Sequence, residues 1–358
     1  MAGVRRPAAD GPDAELLARL RAAVDRWEAG GRGPTSSLTG GGAIAELEAR
    51  LAELCGTNHA VCVSSGTIAL RIAAQAVGVG RGGEVVVPAL DWPAAAAAAL
   101  SLGARPVPAD CGPGAILIDP EAVRRAIGPR TQAIVVTHLA GMPADMDALR
   151  RVASAAGVPL IEDGSQAMGA SYRGRRVGSF GAAAAFSLGR GKLIDAGEGG
   201  VVATDDESLY AAVVLASQHP ARQMRAGLSP SPLALATRLH PAAALLGLVQ
   251  LDGVAAALEH RRAVAEEIRD RAVGTAAVLV PEPPDRRFSW PSVLAFSDVD
   301  ATRALSRRGV GAAPAGFEDV GALIDSPAAC PNAARSAAGV HRLHLKDHDP
   351  LISTVTRP

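Results

Sequence analysis

The amino-acid sequence predicts an α/β protein with a mostly parallel central sheet flanked by helices, followed by a smaller C-terminal α+β domain. Three observations lead to this fold class. The chain has 358 residues, of which 48% are hydrophobic, enough to build two domains. Short apolar segments of strand type alternate with helical segments up to about residue 217, a pattern typical of parallel sheets covered on both faces. After about residue 245 the alternation stops.

The predicted organisation is an N-terminal arm over residues 1–33, a large domain over 34–245 and a small domain over 246–358. The arm is polar, rich in Pro and Gly, and expected to hold one short helix. The large domain opens with "AIAELEARLAELCG", an apolar pattern at helical spacing that ends in Gly56. In the small domain, "VQLDGVAAALEHRRAVAEEIRDRAV" predicts one long amphipathic helix, and "WPSVLAFSD" and "HRLHLK" predict strands.

Within the large domain each predicted element has its own pattern. Strands are expected in the apolar runs "HAVCVSSG", "EVVVPAL", "RPVPAD", "QAIVVTHL", "VPLIEDGSQ", "AAAAFSLG" and "GGVVATD". Helices are expected in "TIALRIAAQAVGVG", in the alanine run after Trp92, in "PEAVRRAI" capped by Asp119, in "MDALRRVASAAG" and in "ESLYAAVVLAS". Sheets of this kind bind ligands at the carboxyl ends of their strands, so functional residues are expected directly after strands.

Composition and charge exclude several classes of protein. Lys plus Arg and Asp plus Glu balance at 36 each without a basic block, so nucleic acid is not an expected partner. Four scattered cysteines form no C-x-x-C pair, which argues against a zinc ribbon or a disulfide scaffold and indicates a reducing compartment. The N-terminus does not resemble a signal peptide, and the alanine run is too short to span a bilayer. We therefore expect a cytoplasmic protein with neither a metal site nor a membrane partner.

Lys192 stands out because 34 of the 36 basic residues are arginines and the only other lysine is Lys346. An exposed, solvated lysine is the ordinary interpretation. A phosphate-binding G-x-x-x-x-G-K-[ST] loop is excluded, because Phe186 replaces its first Gly and Leu193 follows the lysine. A dinucleotide fingerprint is also missing, since no G-x-G-x-x-G opens a helix. The functional alternative is an amine that loses its proton and forms a Schiff base with an aldehyde, which Arg cannot do.

Polar residues follow two other predicted strands. Asp163 ends "VPLIED" and either caps a turn or holds the positive charge of a ring nitrogen, as pyridoxal phosphate (PLP) requires. "SSGTIAL" places Ser65, Gly66 and Thr67 where a strand gives way to a helix. This segment is either an ordinary N-cap or an anion site built from free N–H groups and the helix dipole. Ser187 would add a second hydroxyl to such a site.

Trp92, directly after "VVVPAL", either fills core space or stacks on a flat ring at the end of its strand. Each of these signals is weak alone, and their order is the specific feature. A phosphate loop comes first, then an aromatic residue, then a strand-end aspartate, and finally a serine and a lysine before "GEGG".

That order, with these segments, resembles the DegT/DnrJ/EryC1/StrS family of sugar and aminocyclitol aminotransferases, which are fold-type-I PLP enzymes. The resemblance covers roughly residues 37–355 and rests on "SSGTIAL", "EVVVPALDW", "THLAGMPADMDAL", "IEDGSQAMGA", "VGSFG" and "FSLGRGKL…GEGG". "DW" and "EDGSQA" are most similar to the branch that acts on aminocyclitols.

The resemblance implies a role for each candidate residue. Lys192 and Asp163 would be catalytic: Lys192 carries PLP through an imine and later moves a proton, and Asp163 pairs with the pyridine nitrogen. The remaining cofactor-binding residues would contact other parts of PLP. The phosphate would be held by Ser65, Gly66, Thr67 and Ser187. Trp92 would stack on the ring, Gln166 would bond the phenolic oxygen, and His138 would lie close to the cofactor.

The resemblance also implies a homodimer with composite active sites. The amino donor would be L-glutamate or L-glutamine and the acceptor a keto-sugar or ketocyclitol, in antibiotic or cell-surface sugar biosynthesis. Dehydratases of the family carry His in place of the lysine, so Lys192 favours amino transfer.

This sequence departs from the family pattern at two positions, where Ala236 replaces an expected Asn and Met168 an expected His. Two alternatives therefore stay open: a PLP enzyme that catalyses dehydration or C–N bond formation, and an inactive cofactor-binding partner of an active homologue. Intact Lys192 and Asp163 argue against the second.

Overall fold

The structure is a computed structural model that describes residues 12–29, 38–289, 293–324 and 330–345. Its helices, in chain order, are α1 Pro12–Ala29, α2 Ala43–Cys55, α3 Gly66–Ala76, α4 Ala94–Ser101, α5 Pro120–Ala126, α6 Met146–Ala156, α7 Glu207–Ser217, α8 Pro220–Arg225, α9 Pro241–Leu251, α10 Val254–Ala272, α11 Val299–Arg307, α12 Val320–Leu323 and α13 Pro331–Gly339. A short 3₁₀ helix spans Leu139–Gly141.

The strands, also in chain order, are β1 His59–Val63, β2 Glu84–Pro88, β3 Leu90–Asp91, β4 Arg105–Ala109, β5 Thr131–Thr137, β6 Leu160–Asp163, β7 Ser171–Tyr172, β8 Arg175–Arg176, β9 Ala183–Ser187, β10 Gly200–Thr204, β11 Val278–Leu279, β12 Arg286–Arg287, β13 Val293–Phe296, β14 Val310–Pro314, β15 Glu318–Asp319 and β16 Val340–Leu345. All strands and helices predicted for the large domain are present. The predicted cap of α5 is also confirmed, since the Asp119 carboxylate accepts the N–H of Ala122 at 3.1 Å.

The central sheet joins seven strands in the order β1-β10-β9-β6-β5-β2-β4. Its strands are parallel except β10, which runs antiparallel to both β1 and β9. This confirms the mostly parallel sheet predicted from the sequence. The carboxyl ends of β2, β5, β6 and β9 therefore meet at one edge, where the predicted site residues lie.

Helices cover both faces of this sheet. Alternate residues of a strand point to opposite faces, so Val85 and Val87 pack with the buried faces of α3, α4 and α7, whereas Val86 packs with α5 and α6. A further apolar cluster on the side of Phe186 joins the sheet to α2 and α9. The result is a three-layer arrangement whose core is made of Ala, Val, Leu and Ile.

The C-terminal part forms a separate small sheet in the order β11-β13-β16-β14, packed against α10 and α11. The strands predicted in "WPSVLAFSD" and "HRLHLK" are β13 and β16. A two-stranded connection links this part to the large sheet, because Glu318 of β15 pairs with Asp91 of β3.

The long helix predicted over residues 249–273 is confirmed as α10 from Val254 onward, but residues 249–251 belong to the separate helix α9, which is bent by 64° from α10. The break falls at Asp252 and Gly253, where glycine is a poor helix former. The Asp252 carboxylate, held by Arg50 at 2.8 Å and Arg19 at 3.2 Å, fixes the chain at this corner.

The position of α9 bears on the domain boundary. Its buried residues pack in the same apolar cluster as those of α2. We therefore propose that the large domain extends to Leu251 rather than ending at residue 245. The N-terminal helix expected to be short has 18 residues, and its Arg19 side chain bonds the Val249 carbonyl of α9.

Among the helices that the structure describes, none by itself is long and apolar enough to cross a bilayer. The bent pair α9–α10 has the required length and composition only when its two helices are taken together. All four cysteines are unpaired thiols.

A buried ion pair joins α2, α8 and the start of the sheet. The Arg222 guanidinium donates to both Glu48 carboxylate oxygens at 2.9 and 2.8 Å, and the Cys62 N–H donates to the same carboxylate at 2.7 Å. Both side chains are less than a tenth exposed. Removing one partner of such a pair leaves an uncompensated buried charge.

We expect Arg222→Met to lower the free energy of unfolding by about 3–5 kcal/mol, because Glu48 loses its partner. Replacing Glu48 by Met as well should restore part of this loss. Arg50→Met is the matched control, since its pair with Asp252 is exposed and such pairs contribute about 0–1 kcal/mol. Denaturant unfolding of the three variants measures the effect, and equal losses for Arg222→Met and Arg50→Met would contradict it.

Candidate active site

Lys192 lies in the loop between β9 and β10, and that loop is held from both ends. The Asp195 carboxylate accepts the N–H groups of Gly191 and Gly197, each at 2.9 Å. Gln250 of α9 bonds the Asp195 backbone twice, at 2.6 and 2.9 Å. Gly191 and Gly197 have φ values of 79°, a left-handed conformation that glycine adopts without strain. These contacts give the lysine a fixed position.

The Lys192 side chain is mostly buried, and this burial lowers the pKa of its amine. The neighbouring charges act in both directions: Asp163 and Asp91 raise the pKa, whereas Arg342 lowers it further. The amine is therefore easier to deprotonate than that of an exposed lysine, as the functional interpretation of Lys192 requires. The structure also brings Lys192 and Asp163 together, although 29 positions separate them in the sequence.

Asp163 ends β6 at the carboxyl edge of the central sheet and is 5% exposed. Its Oδ1 accepts the Ser165 N–H at 2.9 Å, which is the turn-capping role of the ordinary interpretation. This bond fixes the carboxylate without using both of its oxygens. The capping and functional interpretations are therefore compatible in one residue.

Gly66, Ser165 and Ser187 converge at the N-terminus of α3. A Cβ placed on Gly66 would lie 2.9 Å from the Ser187 Cβ and 3.4 Å from the Ser165 Oγ, so only glycine fits there. Ser65 caps the helix, since its hydroxyl accepts the Ile68 N–H at 3.2 Å. The N–H groups of Gly66 and Thr67 precede the first intrahelical bond and point out of the helix. Helix termini of this kind attract anions.

A second element reaches the same place from the segment before α9. The Thr237 carbonyl accepts the Ser64 N–H at 2.9 Å, and Arg238 forms a β-bridge with Val63. The Thr237 hydroxyl and the Arg238 Nε are buried without a hydrogen-bond partner. These two polar groups lack partners where their segment pairs with the chain that leads into α3.

The protein covers neither the Trp92 nor the Gln166 side chain completely. The Trp92 side chain is 60% exposed, so it does not fill the core, and its backbone N–H donates to the Asp91 carboxylate at 2.8 Å. The Gln166 carbonyl oxygen accepts the Ala140 N–H at 2.8 Å. This contact orients the amide so that its NH₂ group is the end offered as a donor.

His138 is fully buried at the end of β5, and both of its ring nitrogens are in use. The Ala144 N–H donates to Nδ1 at 3.1 Å, so the proton lies on Nε2, which donates to Glu162 at 3.0 Å. Glu162 also accepts the backbone N–H groups of Gly178, Phe180 and Gly181 at 2.6–2.9 Å. His138 therefore uses its ring nitrogens to bond Glu162 and the Ala144 backbone. Glu162 in turn holds the backbone of the segment before β9.

Comparison with known proteins identifies the group of proteins to which this arrangement belongs. The sequence profile of the DegT/DnrJ/EryC1/StrS aminotransferase family matches residues 33–313. The chain belongs to this family. The family resemblance noted from the sequence is confirmed, and so is the fold of its PLP-dependent members.

Two named relatives illustrate the similarity. The chain is 50% identical over 161 residues to the L-glutamine:2-deoxy-scyllo-inosose aminotransferase of Micromonospora echinospora, covering 45% of this chain and 38% of the relative. It is 45% identical over 174 residues to the L-glutamine:scyllo-inosose aminotransferase of Streptomyces griseus, covering 49% and 40%. The matches thus span about two fifths of each relative's own length.

Solved structures of the family match over nearly the whole chain. DesI, crystallised in the presence of its TDP-sugar product, gives a TM-score of 0.80 at 30% identity and covers 95% of this chain and 88% of its own. 3-Amino-5-hydroxybenzoic acid synthase gives 0.79 at 28% identity, with coverage of 98% and 96%.

Asp91 is a site residue that the sequence analysis did not identify. Its carboxyl group is 2% exposed, accepts the Thr137 hydroxyl at 2.6 Å and interacts with Lys192 and Asp163. Burial and the nearby Asp163 carboxylate both raise the pKa of Asp91. The signal was available in the sequence, because Asp91 follows a strand as Asp163 does. Glu162 gave no such signal in the sequence, since its partners come from two distant segments, the end of β5 and the chain before β9.

The two departures from the family pattern have different surroundings. Met168 is buried in the apolar cluster shared with α2 and α9. Ala236 is exposed and adopts a left-handed backbone conformation with φ of 51°. Residues with a Cβ pay about 1–2 kcal/mol there, and Asn is among the few that tolerate it.

We expect Ala236→Asn to raise the free energy of unfolding by about 0.5–1 kcal/mol, because asparagine relieves the strained backbone. Ala234→Asn is the control, since residue 234 has no positive φ and should gain nothing. Thermal and denaturant unfolding measure both variants. A gain in Ala234→Asn equal to that in Ala236→Asn would show that backbone strain is not the cause.

Glu162 should make stability depend on acid pH. Burial alone would raise the pKa of Glu162, but hydrogen bonds from His138 and backbone N–H groups hold it below its ordinary value. The unfolded chain therefore takes up this proton first as the pH falls, so the stability that Glu162 contributes is present above the unfolded pKa and lost as pH falls through the folded pKa.

Glu162→Gln should be destabilised at neutral pH, and its deficit relative to wild type should shrink as the pH falls from about 6 to 3. Denaturant unfolding at several pH values gives the two curves. Glu53→Gln, at an exposed position of α2, is the control and should follow the wild-type curve. Parallel curves for wild type and Glu162→Gln would contradict the assignment.

Proposed function

We propose that this protein is a PLP-dependent aminotransferase that moves an amino group from L-glutamine or L-glutamate to a keto-sugar or ketocyclitol. The observation that carries the proposal is the Lys192 amine, mostly buried and with a lowered pKa, beside the buried Asp163. The names of the relatives support an L-glutamine donor and an inosose-type acceptor. A cytoplasmic location, inferred from the scattered cysteines, is part of this proposal.

The residues of the site fit PLP. The N-terminus of α3, with Ser187 beside it, suits the phosphate, and the orphaned Thr237 hydroxyl and Arg238 Nε supply further donors on that side. Asp163 suits the protonated ring nitrogen. The NH₂ group of Gln166 suits the phenolic oxygen, and Lys192 suits the aldehyde.

PLP, when bound, supplies an aldehyde that exchanges amino groups and a ring that withdraws electrons from the substrate carbon. The protein supplies the groups that transfer protons and the charged side chain that faces the ring. Lys192 takes a proton from the donor carbon and returns one to the acceptor, which is efficient because its pKa is lowered. The Asp163 carboxylate would keep the ring nitrogen protonated, and the burial of Asp163 limits the access of water to this pair.

Exposed apolar residues near the site support a homodimer with shared active sites. Leu233 is 90% exposed, Leu235 52% and Met224 58%, all within the segment that leads to Thr237 and Arg238. Exposed apolar surface, when contiguous, is a mark of protein interfaces. A second copy covering this segment would reach the phosphate side of the site. Nucleic acid and membranes are not proposed partners.

The alternatives differ in the reaction that they predict. Dehydration or C–N bond formation would leave L-glutamine and L-glutamate unconverted, whereas an inactive partner would bind PLP and turn over nothing alone. No contact of the described residues favours either alternative over amino transfer.

Lys192→Ala should lose both the absorbance of the bound aldehyde and all turnover, because no other residue in the described part of the site offers an amine. Arg190→Ala is the control, since Arg190 lies in the same loop but is exposed, and it should retain both. In wild type, borohydride reduction followed by peptide mapping should label Lys192. Addition of L-glutamine or L-glutamate should convert the cofactor to its amino form and release the 2-oxo acid, and failure with both donors would refute amino transfer.

A further inference from the structure

Asp91 is a buried acid to which the proposed reaction gives no role. It ends β3, directly before Trp92, and is 2% exposed. Its Oδ2 accepts the Thr137 hydroxyl at 2.6 Å, and its Oδ1 accepts the Trp92 N–H at 2.8 Å. In the described part of the chain, both hydrogen-bond donors to this carboxyl group are thus neutral. A carboxylate buried without a cation at hydrogen-bond distance is costly to a folded protein.

The central sheet places Asp91 against the reaction centre. Thr137 ends β5 and is the register partner of Asp163 at the end of β6, so the two side chains lie on the same face of the sheet. The bond from Thr137 to Asp91 brings a second carboxyl group to that face. Asp91 interacts electrostatically with both Asp163 and Lys192. Two carboxyl groups therefore act on one amine.

The two hydrogen bonds alone do not require an acid at position 91. An asparagine side chain would accept the Trp92 N–H through its oxygen and donate to the Thr137 hydroxyl oxygen through its NH₂ group. Asparagine has nearly the shape of aspartate but cannot ionise. Because burying an ionisable group is costly, the presence of Asp91 indicates a role for its charge rather than for its packing.

The charges around the Lys192 amine indicate what that role is. Burial lowers the pKa of the amine, and Arg342 on β16 lowers it further, whereas Asp163 and Asp91 raise it. Arg261 of α10 donates to the Lys192 backbone carbonyl at 3.4 Å and so supports the loop. A base whose pKa falls far below the operating pH removes protons slowly. The carboxyl groups therefore keep the amine useful as a base.

The surroundings of Asp91 allow it to ionise. Burial and the Asp163 carboxylate raise the pKa of Asp91. The bonds from Thr137 and Trp92 lower this pKa, as does the Lys192 amine. When Asp163 pairs with the ring nitrogen of PLP, as proposed above, its charge is compensated there. Asp91 is then the carboxylate left to act on the amine.

The other titratable groups beside Asp91 do not take over this role. His138, which follows Thr137, is bonded to Glu162 at 3.0 Å. Glu318 is the register partner of Asp91 on β15, and its side chain is exposed. Among the described residues, the groups that change the pKa of Lys192 include none of these three.

We propose that Asp91 is a positioning residue for the proton of Lys192: its carboxylate, held by the Thr137 hydroxyl, keeps the buried amine basic enough to take a proton from the donor carbon. This inference rests on the proposed aminotransferase function, in which Lys192 moves that proton. Asp91 acts through its charge on the amine, and no bond forms or breaks at Asp91 itself.

The first test measures the amine in cofactor-free protein. Lys192 and Lys346 are the only lysines, so ¹³C labelling of the lysine ε-carbons gives two NMR signals, which Lys192→Ala assigns. Asp91→Asn should lower the pKa of Lys192 by about 1 pH unit, because it keeps the hydrogen bonds and removes the charge. Asp110→Asn is the matched control. Asp110 follows β4 and accepts three backbone N–H groups, so this variant should lose stability without changing the pKa of Lys192.

Thr137→Val tests the same link without altering the carboxyl group. Loss of the hydroxyl removes a bond that favours ionised Asp91, so Asp91 keeps its proton to higher pH. The pKa of Lys192 should then fall, but by less than in Asp91→Asn. Combining the two substitutions should give no larger fall than Asp91→Asn alone, because Thr137 acts only through the charge of Asp91.

The holoenzyme shows the consequence for the reaction. In stopped-flow absorbance with L-glutamine, Asp91→Asn should lower the maximal rate of conversion of PLP to its amino form about 3–10-fold, since a weaker base removes the proton more slowly. The L-glutamine concentration that gives half of this rate should stay within about 2-fold of wild type, because Asp91 acts on proton transfer and not on donor binding. Deuterium at the α-carbon of L-glutamine should slow the variant more than wild type.

An unchanged or raised pKa of Lys192 in Asp91→Asn would overturn the assignment, as would an equal fall in Asp110→Asn. Failure of both Asp91→Asn and Thr137→Val to fold would show a structural role instead. If wild type binds no PLP or converts no donor, the proposed function fails. The NMR titration then decides by itself whether Asp91 sets the protonation of Lys192.

Discussion

The electrostatic balance around one amine organises this molecule. Burial favours neutral Lys192, whereas Asp163 and Asp91 favour the protonated form and Arg342 opposes them. These charges come from four different parts of the chain: the loop after β9, the end of β6, β3, and β16 of the small sheet. The balance exists only when the central sheet, the lysine loop and the C-terminal part are all in place. Folding and reactivity therefore depend on the same contacts.

The parallel sheet explains why these parts meet. Four adjacent strands end at one edge of the sheet. Side chains that are distant in the sequence therefore become neighbours there, even where they do not bond to one another. The fixed supports lie just behind that edge: Glu162 ties β6 to the backbone of the segment before β9 and to His138 at the end of β5, and Asp195 with Gln250 ties the lysine loop to α9. These bonds fix the strand end that carries Asp163 and the loop that carries Lys192.

Local pattern was enough to predict most of the large domain, because its strands are short apolar runs and its helices carry clear caps such as Asp119. It also located Lys192, Asp163 and the glycine turn at Gly66, since each follows a strand. The helix break at Asp252–Gly253 was missed because the apolar pattern continues across it. Asp91 was missed although it follows a predicted strand, whereas Glu162 is defined by long-range contacts, and single-sequence periodicity carries no information about those.

The pairing of β15 with β3 joins the C-terminal part to the strand that carries Asp91 and leads into Trp92. Any rotation of the small sheet as a unit would pull on that strand and carry the indole with it. Such a movement of the small sheet would then change the contact between the indole and a flat ligand stacked on it. The indole of Trp92 and the small sheet would thus move together.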